Sequence, residues 1–144
     1  MIRKATTKDA STVAQLAAKL WPHHTAEEML DDFEETIQKE TCAAFLCYNN
    51  DVPIGFAQCG LRHDYVEGTN TSPVGYLEGI YVESPYRKHG YAKRLLAACE
   101  AWAKEQGCTE FASDCELYNT DSLQFHLNVG FEEANRIICF RKTL

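Results

Sequence analysis

Tyr76–Ala103 reads YLEGIYVESPYRKHGYAKRLLAACEAWA, and three patterns follow one another within it. Tyr76 to Val82 is an apolar run rich in β-branched and aromatic residues, broken by one carboxylate, Glu78, and closed by the turn signal Ser84-Pro85. It predicts a strand. From Gly90, the apolar residues Ala92, Leu95, Leu96, Cys99, Trp102 and Ala103 recur at spacings of three and four, and Gly107 stands where a left-handed helix end is expected. This half predicts an amphipathic helix over Gly90–Gln106. Between the two lies Arg87-Lys88-His89-Gly90-Tyr91-Ala92. The first turn of a helix has unpaired N–H groups and a partial positive charge, so it suits an anion, and a glycine there lets the anion approach the backbone. Arg87 and Lys88 add full charges, so the junction predicts a phosphate-bearing ligand.

The loop lacks the Gly-Lys-Ser/Thr end of a P-loop, and it is not the dinucleotide GxGxxG. A solvated basic turn is the plainer reading of the same residues. Taken with the strand, turn and helix around it, Arg-x-x-Gly-x-Ala resembles the acyl-CoA signature of the GCN5-related N-acetyltransferase (GNAT) family. The resemblance implies acetyl-CoA as co-substrate. It assigns the pyrophosphate to N–H groups from Lys88, His89, Gly90, Tyr91, Ala92 and Lys93, the pantetheine amides to backbone groups of Ile80, Tyr81 and Val82, and a further CoA contact to Asn119.

At 144 residues and 45% hydrophobic, the chain is sized for one domain with one core, residues 1–144. No stretch approaches the roughly 20 apolar residues of a membrane span, and Met1–Ala10 lacks the apolar segment of a secretion signal, so the expectation is a cytoplasmic protein without a membrane partner. Seven cysteines, an odd number with no CxxC pair, predict buried reduced thiols and no metal site. A net charge of -7 argues against nucleic acid as partner and favours a cationic one, provided that acidic residues gather at the site.

Periodicity along the chain gives the order β-α-α-β-β-β-α-β-α-β. A short strand at Ile2–Ala5 precedes a helix over Asp9–Leu20, and a capping box at Thr25-Ala26-Glu27-Glu28 opens a second helix with Leu30, Phe33 and Ile37 as its apolar stripe. Thr41–Tyr48 and Pro53–Arg62 read as a hairpin around Asn49-Asn50-Asp51. After the Gly90–Gln106 helix come a strand at Glu110–Asp114, a helix at Thr120–Asn128 closed by Gly130, and a last strand at Phe131–Lys142. This order fits an α/β (α+β) class. Under the resemblance it is the GNAT fold, a mixed, mostly antiparallel sheet flanked by helices, in which the strands carrying Glu78 and Asp114 run side by side and then splay.

Amine attack on a thioester needs a base, an oxyanion donor and an acid for the leaving thiolate. Period-two alternation places Glu78 on one face with Tyr76, Ile80 and Val82, where a carboxylate needs a raised pKa or a specific partner. It is the first candidate to bind or deprotonate the amine; a structural salt bridge is the plainer alternative. Asp114, ending its strand, is the second acidic candidate, or else a turn former. Asn119–Phe131, NTDSLQFHLNVGF, resembles the family's last motif, in which a tyrosine acts as general acid at the position held here by His126. His126 and Tyr118 are therefore rival acids, and a merely packed His126 stays open.

LWPHH at Leu20–His24, LRHDYVEGTNTSPVGYLEGIYV at Leu61–Val82 and ASD at Ala112–Asp114 resemble the short subgroup of bacterial aminoglycoside 6'-N-acetyltransferases over almost the whole chain. That resemblance implies a resistance enzyme, direct transfer in a ternary complex, a homodimer, and an antibiotic held by Trp21, His24, Tyr65, Glu78 and Asp114. Where relatives can carry a carboxylate this chain has Asn135, which leaves the charge contact weaker or shifted to Glu133. Cys115 neighbours Asp114, but burial rather than acyl transfer is its expected role. Two other readings keep the same loop: acetylation of a polyamine or protein lysine, and a non-catalytic acyl-CoA-binding module.

Overall fold

Cys42–Asn49 shows no polar alternation because both of its faces are covered. In the computed structural model, which describes residues 1–144, it is the second strand of a five-stranded sheet ordered β1-β2-β3-β4-β5. The strands are β1 (Ile2–Lys4), β2 (Cys42–Asn49), β3 (Val52–Arg62), β4 (Val74–Val82) and β5 (Phe111–Ala112). The first four pair antiparallel and the last pair is parallel. Helices α1 (Ala10–Leu20) and α2 (Ala26–Gln38) cover one face, packing Val13, Leu16, Ala17, Met29 and Phe33 on Ala44, Leu46 and Phe56. On the other face α3 (Tyr91–Glu105) packs Leu95, Leu96, Cys99 and Trp102 against Phe45, Ile54, Ala57, Leu77 and Val82. A fourth helix, α4 (Thr120–Asn128), follows β5. No helix is long and apolar enough to cross a membrane.

Local signals account for the element ends. Thr25 Oγ1 accepts the Glu28 N–H at 3.2 Å, capping α2 as its Thr-x-x-Glu pattern predicts. The β2–β3 turn places Asn50 and Asp51 at φ 49° and 66°, left-handed values that suit a two-residue hairpin turn. Gly107 ends the α3 segment at φ 90°.

Two expectations need correcting. Phe131–Lys142 forms no strand; the sheet stops at β5, and a strand needs a neighbouring backbone to satisfy its N–H and C=O groups. Ile137, Ile138 and Phe140 are left exposed. The second correction concerns β4. Cys59 pairs with Leu77 and Gln58 with Gly79, so Glu78 is an extra residue in a β-bulge. The bulge resets the alternation. Leu77, Ile80 and Val82 all join the α3-side core, while Tyr81 packs on the α1–α2 side and Gly79 faces Trp21. Glu78 therefore does not share a face with Ile80 and Val82.

Candidate active site

The donor end is built where β4 runs into α3. A single 3-10 turn at Ser84–Tyr86 redirects the chain, and Arg87 Nε donates to the Val82 carbonyl at 2.7 Å, pinning the loop to the strand it leaves. Lys88 and Gly90 then adopt φ 65° and 83°, left-handed values of the kind found where backbone amides form an anion-binding concavity. The N–H groups of residues 88–93 donate to no backbone carbonyl. A Cβ at Gly90 would meet nothing within 4 Å, so the glycine serves the backbone angle and an open approach rather than internal packing. Lys88, His89 and Lys93 are exposed around it, with Tyr91 and Ala92 half-buried. These residues fit a phosphate group. Arg87 is partly committed to the protein, so Lys88 and the amides carry more of the anion-binding capacity.

Next to this cradle the sheet opens. β4 and β5 pair only at Gly75–Phe111 and Tyr76–Ala112, and Ile80, Tyr81 and Val82 lie beyond the last pair. On the side away from β3 these residues have no strand neighbour, and apart from the Val82 carbonyl held by Arg87 they leave an edge of the kind to which an extended amide-bearing chain binds. Asn119 caps α4, its side-chain oxygen accepting the Ser122 N–H at 3.1 Å.

At the other end of the open edge stand the carboxylates. Arg62, the last residue of β3, donates from Nε to Glu78 Oε1 at 3.2 Å and from Nη2 to Oε1 and Oε2, both at 3.0 Å. The same guanidinium carbon lies 3.4 Å from the centroid of the Tyr76 ring, and the Tyr76 hydroxyl donates to Asp114. Burial and the Asp114 carboxylate push the Tyr76 phenol well above its ordinary range, so it stays a donor. Glu78 thus meets the expectation of a specific partner, and Asp114 is brought to the same corner of the sheet.

Trp21, past the end of α1, packs edge to face on Phe56 at 6.2 Å and fills the notch over Gly79. With His24, Gln58 and the α2 residues Glu28, Asp32 and Glu35 it lines a cavity of about 530 Å³. His24 Nδ1 is 3.4 Å from Glu28 Oε2. Carboxylates therefore do gather on this side. Tyr65 is 77% exposed, and Asn135 donates to Glu67 Oε1 at 2.8 Å, two residues from Tyr65. Glu133 is held by Arg136. A second cavity of about 300 Å³, lined by Cys108, Phe111 and Phe131 among others, contains none of the predicted site residues.

His126 is more enclosed than a free acid. Its Nδ1 is 2.6 Å from the Ser122 carbonyl, which can only accept, so Nδ1 carries the hydrogen and Nε2 meets Ser113 Oγ at 2.9 Å. The ring packs 5.1 Å from Phe131. Tyr118, in contrast, is 88% exposed. All seven cysteines are free; Cys115, expected to be buried, is exposed because β5 ends before it, and so is Cys139. No cluster of His, Cys, Asp and Glu has the makings of a metal site. Arg62, Tyr76 and Ser113 escaped the reading of the sequence. Their signal lies in pairing, Arg62 standing opposite Val74, and that register follows from the fold.

The sequence profile of the acetyltransferase (GNAT) family matches residues 10–131. The chain is 45% identical over 127 residues to an aminoglycoside N(6')-acetyltransferase type 1 of Salmonella typhimurium, covering 88% of each chain. It is 42% identical over 144 residues to the enzyme of that name from Stenotrophomonas maltophilia, covering 99% of this chain and 93% of that one. Among solved structures it is similar to AAC(6')-Iy in complex with the bisubstrate analogue CoA-S-monomethyl-acetylneamine, with TM-score 0.95, 41% identity and coverage of 100% and 98%. It is likewise similar to the 6'-N-acetyltransferase AAC(6')-Ih of Acinetobacter baumannii, with TM-score 0.94, 36% identity and coverage of 100% and 98%. With this match spanning most of its length, the chain belongs to the acetyltransferase (GNAT) family.

Proposed function

We propose that the protein transfers the acetyl group of acetyl-CoA to the 6'-amine of an aminoglycoside, and that it confers resistance on its host. The observation that carries this is the arrangement along β4: an anion cradle at one end, an open peptide edge in the middle, and Glu78 and Asp114 at the other. A thioester laid along the edge would stand between its phosphates and the carboxylates that hold a protonated acceptor. The relatives' names and the bisubstrate complex of AAC(6')-Iy support the same pairing of substrates.

Transfer is direct. The unprotonated amine attacks the thioester carbonyl, an N–C bond forms and the C–S bond breaks. The amine proton leaves toward Glu78 or through water, and CoA departs as a thiolate that takes up a proton. A β4 amide near Ile80 supports the oxyanion. Tyr118 is the acid open to solvent, whereas His126 would act through Ser113. Trp21, His24 and Tyr65 contact the sugar rings, and Asn135 acts with Glu67 and Glu133 in place of a single carboxylate.

The exposed apolar residues Ile137, Ile138 and Phe140 and the single-neighbour edge of β5 support a homodimer in which residues 131–144 pair with a second copy. Seven free thiols support a reducing, cytoplasmic setting. A thiol-release assay over aminoglycosides and polyamines tests the function. Turnover of kanamycin or tobramycin that Glu78→Gln and Asp114→Asn both depress is the expected result, and CoA binding without turnover would leave only the non-catalytic module.

A further inference from the structure

The carboxylates proposed to hold the acceptor do not stand alone; both are tied to one pair of residues that faces no substrate role so far. Arg62 is held at three points, by two Glu78 oxygens and by the Tyr76 ring over which its guanidinium carbon lies. Tyr76, 6% exposed, spends its only proton on Asp114. From these contacts we propose that Arg62 and Tyr76 are positioning residues which set the directions of Glu78 and Asp114, and so the arrangement of ammonium groups that the acceptor must present. This rests on the proposed function and deepens it: the substrate class selected is a rigid polycation with at least two ammonium groups.

Two effects of Arg62 oppose each other. As a cation it reduces the pull of Glu78 on a positively charged acceptor. As a planar fork it fixes a carboxylate that would otherwise rotate, and a fork contact is directional where a lysine contact is not. Exposure decides between them. The Arg62 and Glu78 side chains are 43% and 35% exposed, so their charges are largely screened by water, while orientation does not depend on screening. A carboxylate has about four lone-pair positions. The guanidinium takes one side of Glu78, and lone pairs on its solvent side stay open for an ammonium. For Asp114 the same logic runs through Tyr76, which the stacked guanidinium and the Val66–Val74 cluster hold in place.

Steady-state kinetics on the full-length enzyme with acetyl-CoA and kanamycin test this, using Arg62→Ala, Arg62→Lys and Tyr76→Phe alongside the wild type. The expected result is a kanamycin KM raised about tenfold or more in Arg62→Ala, with a smaller fall in kcat and an acetyl-CoA KM within about twofold of wild type. Arg62→Lys returns the charge without the fork and recovers only part of the loss. Tyr76→Phe raises the kanamycin KM in the same direction, and the Arg62→Ala/Tyr76→Phe double variant loses less than the product of the single effects. A kanamycin KM in Arg62→Ala that falls, or stays within about twofold, makes Arg62 a mere counter-ion and overturns the inference. Should Arg62→Ala melt at a much lower temperature, Arg62→Lys and Tyr76→Phe, which conserve volume, carry the same test. A wild-type enzyme silent toward every aminoglycoside overturns the proposed function and this inference together; an active wild type with indifferent variants overturns this inference alone.

Discussion

Trp21 occupies the space that a side chain at position 79 would need: a Cβ built on Gly79 would stand 2.7 Å from both Cζ2 and Cη2 of the indole, and 3.2 Å from Leu20 Cδ2. Gly79→Ala should therefore push Trp21 out of its seat, at a cost of about 1–3 kcal/mol typical of overpacking. Calorimetry reads the loss. Trp21→Ala made in addition should restore part of the stability, since the two changes share one contact. Additive losses would show that the indole is not what fills the notch.

Gly90 and Gly107 flank the same helix, both left-handed and both with open space where a Cβ would go. Alanine at either should cost a similar amount, about 1–2 kcal/mol of backbone strain. Only Gly90→Ala should weaken CoA, by several-fold in titration calorimetry, with the aminoglycoside KM unchanged. Equal CoA affinities in the two variants would remove Gly90 from the donor site.

Asp9 accepts two bonds from Arg3, both 2.8 Å, and one from the Thr6 N–H, also 2.8 Å, joining β1 to the start of α1. These contacts, the Arg3 bonds first, hold its carboxyl far below the ordinary aspartate value of 3.8. Because the folded pKa is the lower one, the stabilisation is complete above about 4 and is lost as pH falls below it. Urea titrations at pH 7 and pH 3 should show Asp9→Asn less stable than wild type by about 1–3 kcal/mol at pH 7, its side chain being only 13% exposed, and by less at pH 3. An unchanged gap at both values would place the acid sensitivity elsewhere.

Cys115 is exposed one residue after Asp114, so it is the thiol an acyl-enzyme mechanism would use. Direct transfer predicts that Cys115→Ala keeps kcat within about twofold, and that mass spectrometry after an acetyl-CoA pulse finds no acetylated protein. An acetyl group on Cys115 that chases into product would refute direct transfer.

Sedimentation at micromolar concentration should find a dimer, and Phe140→Glu, placed on a side chain that is 90% exposed in the single chain, should shift it toward monomer. A wild-type monomer at these concentrations would remove the paired C-terminal segment.

Local chemistry explains what could be read from the sequence alone. The capped α2, the Asn50-Asp51 turn, the apolar spacing of α3 and the glycines that end helices are signals carried within a few residues, and the structure places each where the pattern put it. What was missed spans the chain. The bulge at Glu78 exists only relative to the β3 register, Arg62 reaches Glu78 across 16 positions, and Tyr76 reaches Asp114 across 38. The 131–142 segment has strand composition but no backbone to pair with in its own sheet. Glu78 and Asp114 themselves were legible by type; their ties to Arg62 and Tyr76 were not.

The extra residue in β4 also separates two histories. Before Glu78 the strand's even-numbered side chains, Val74 and Tyr76, pack with Val66, and after it Ile80 and Val82 look into the α3 layer. Substitutions at the partly exposed positions 62 and 78 can thus alter one half of the strand without touching the packing under α3, so the two halves of β4 are free to vary independently.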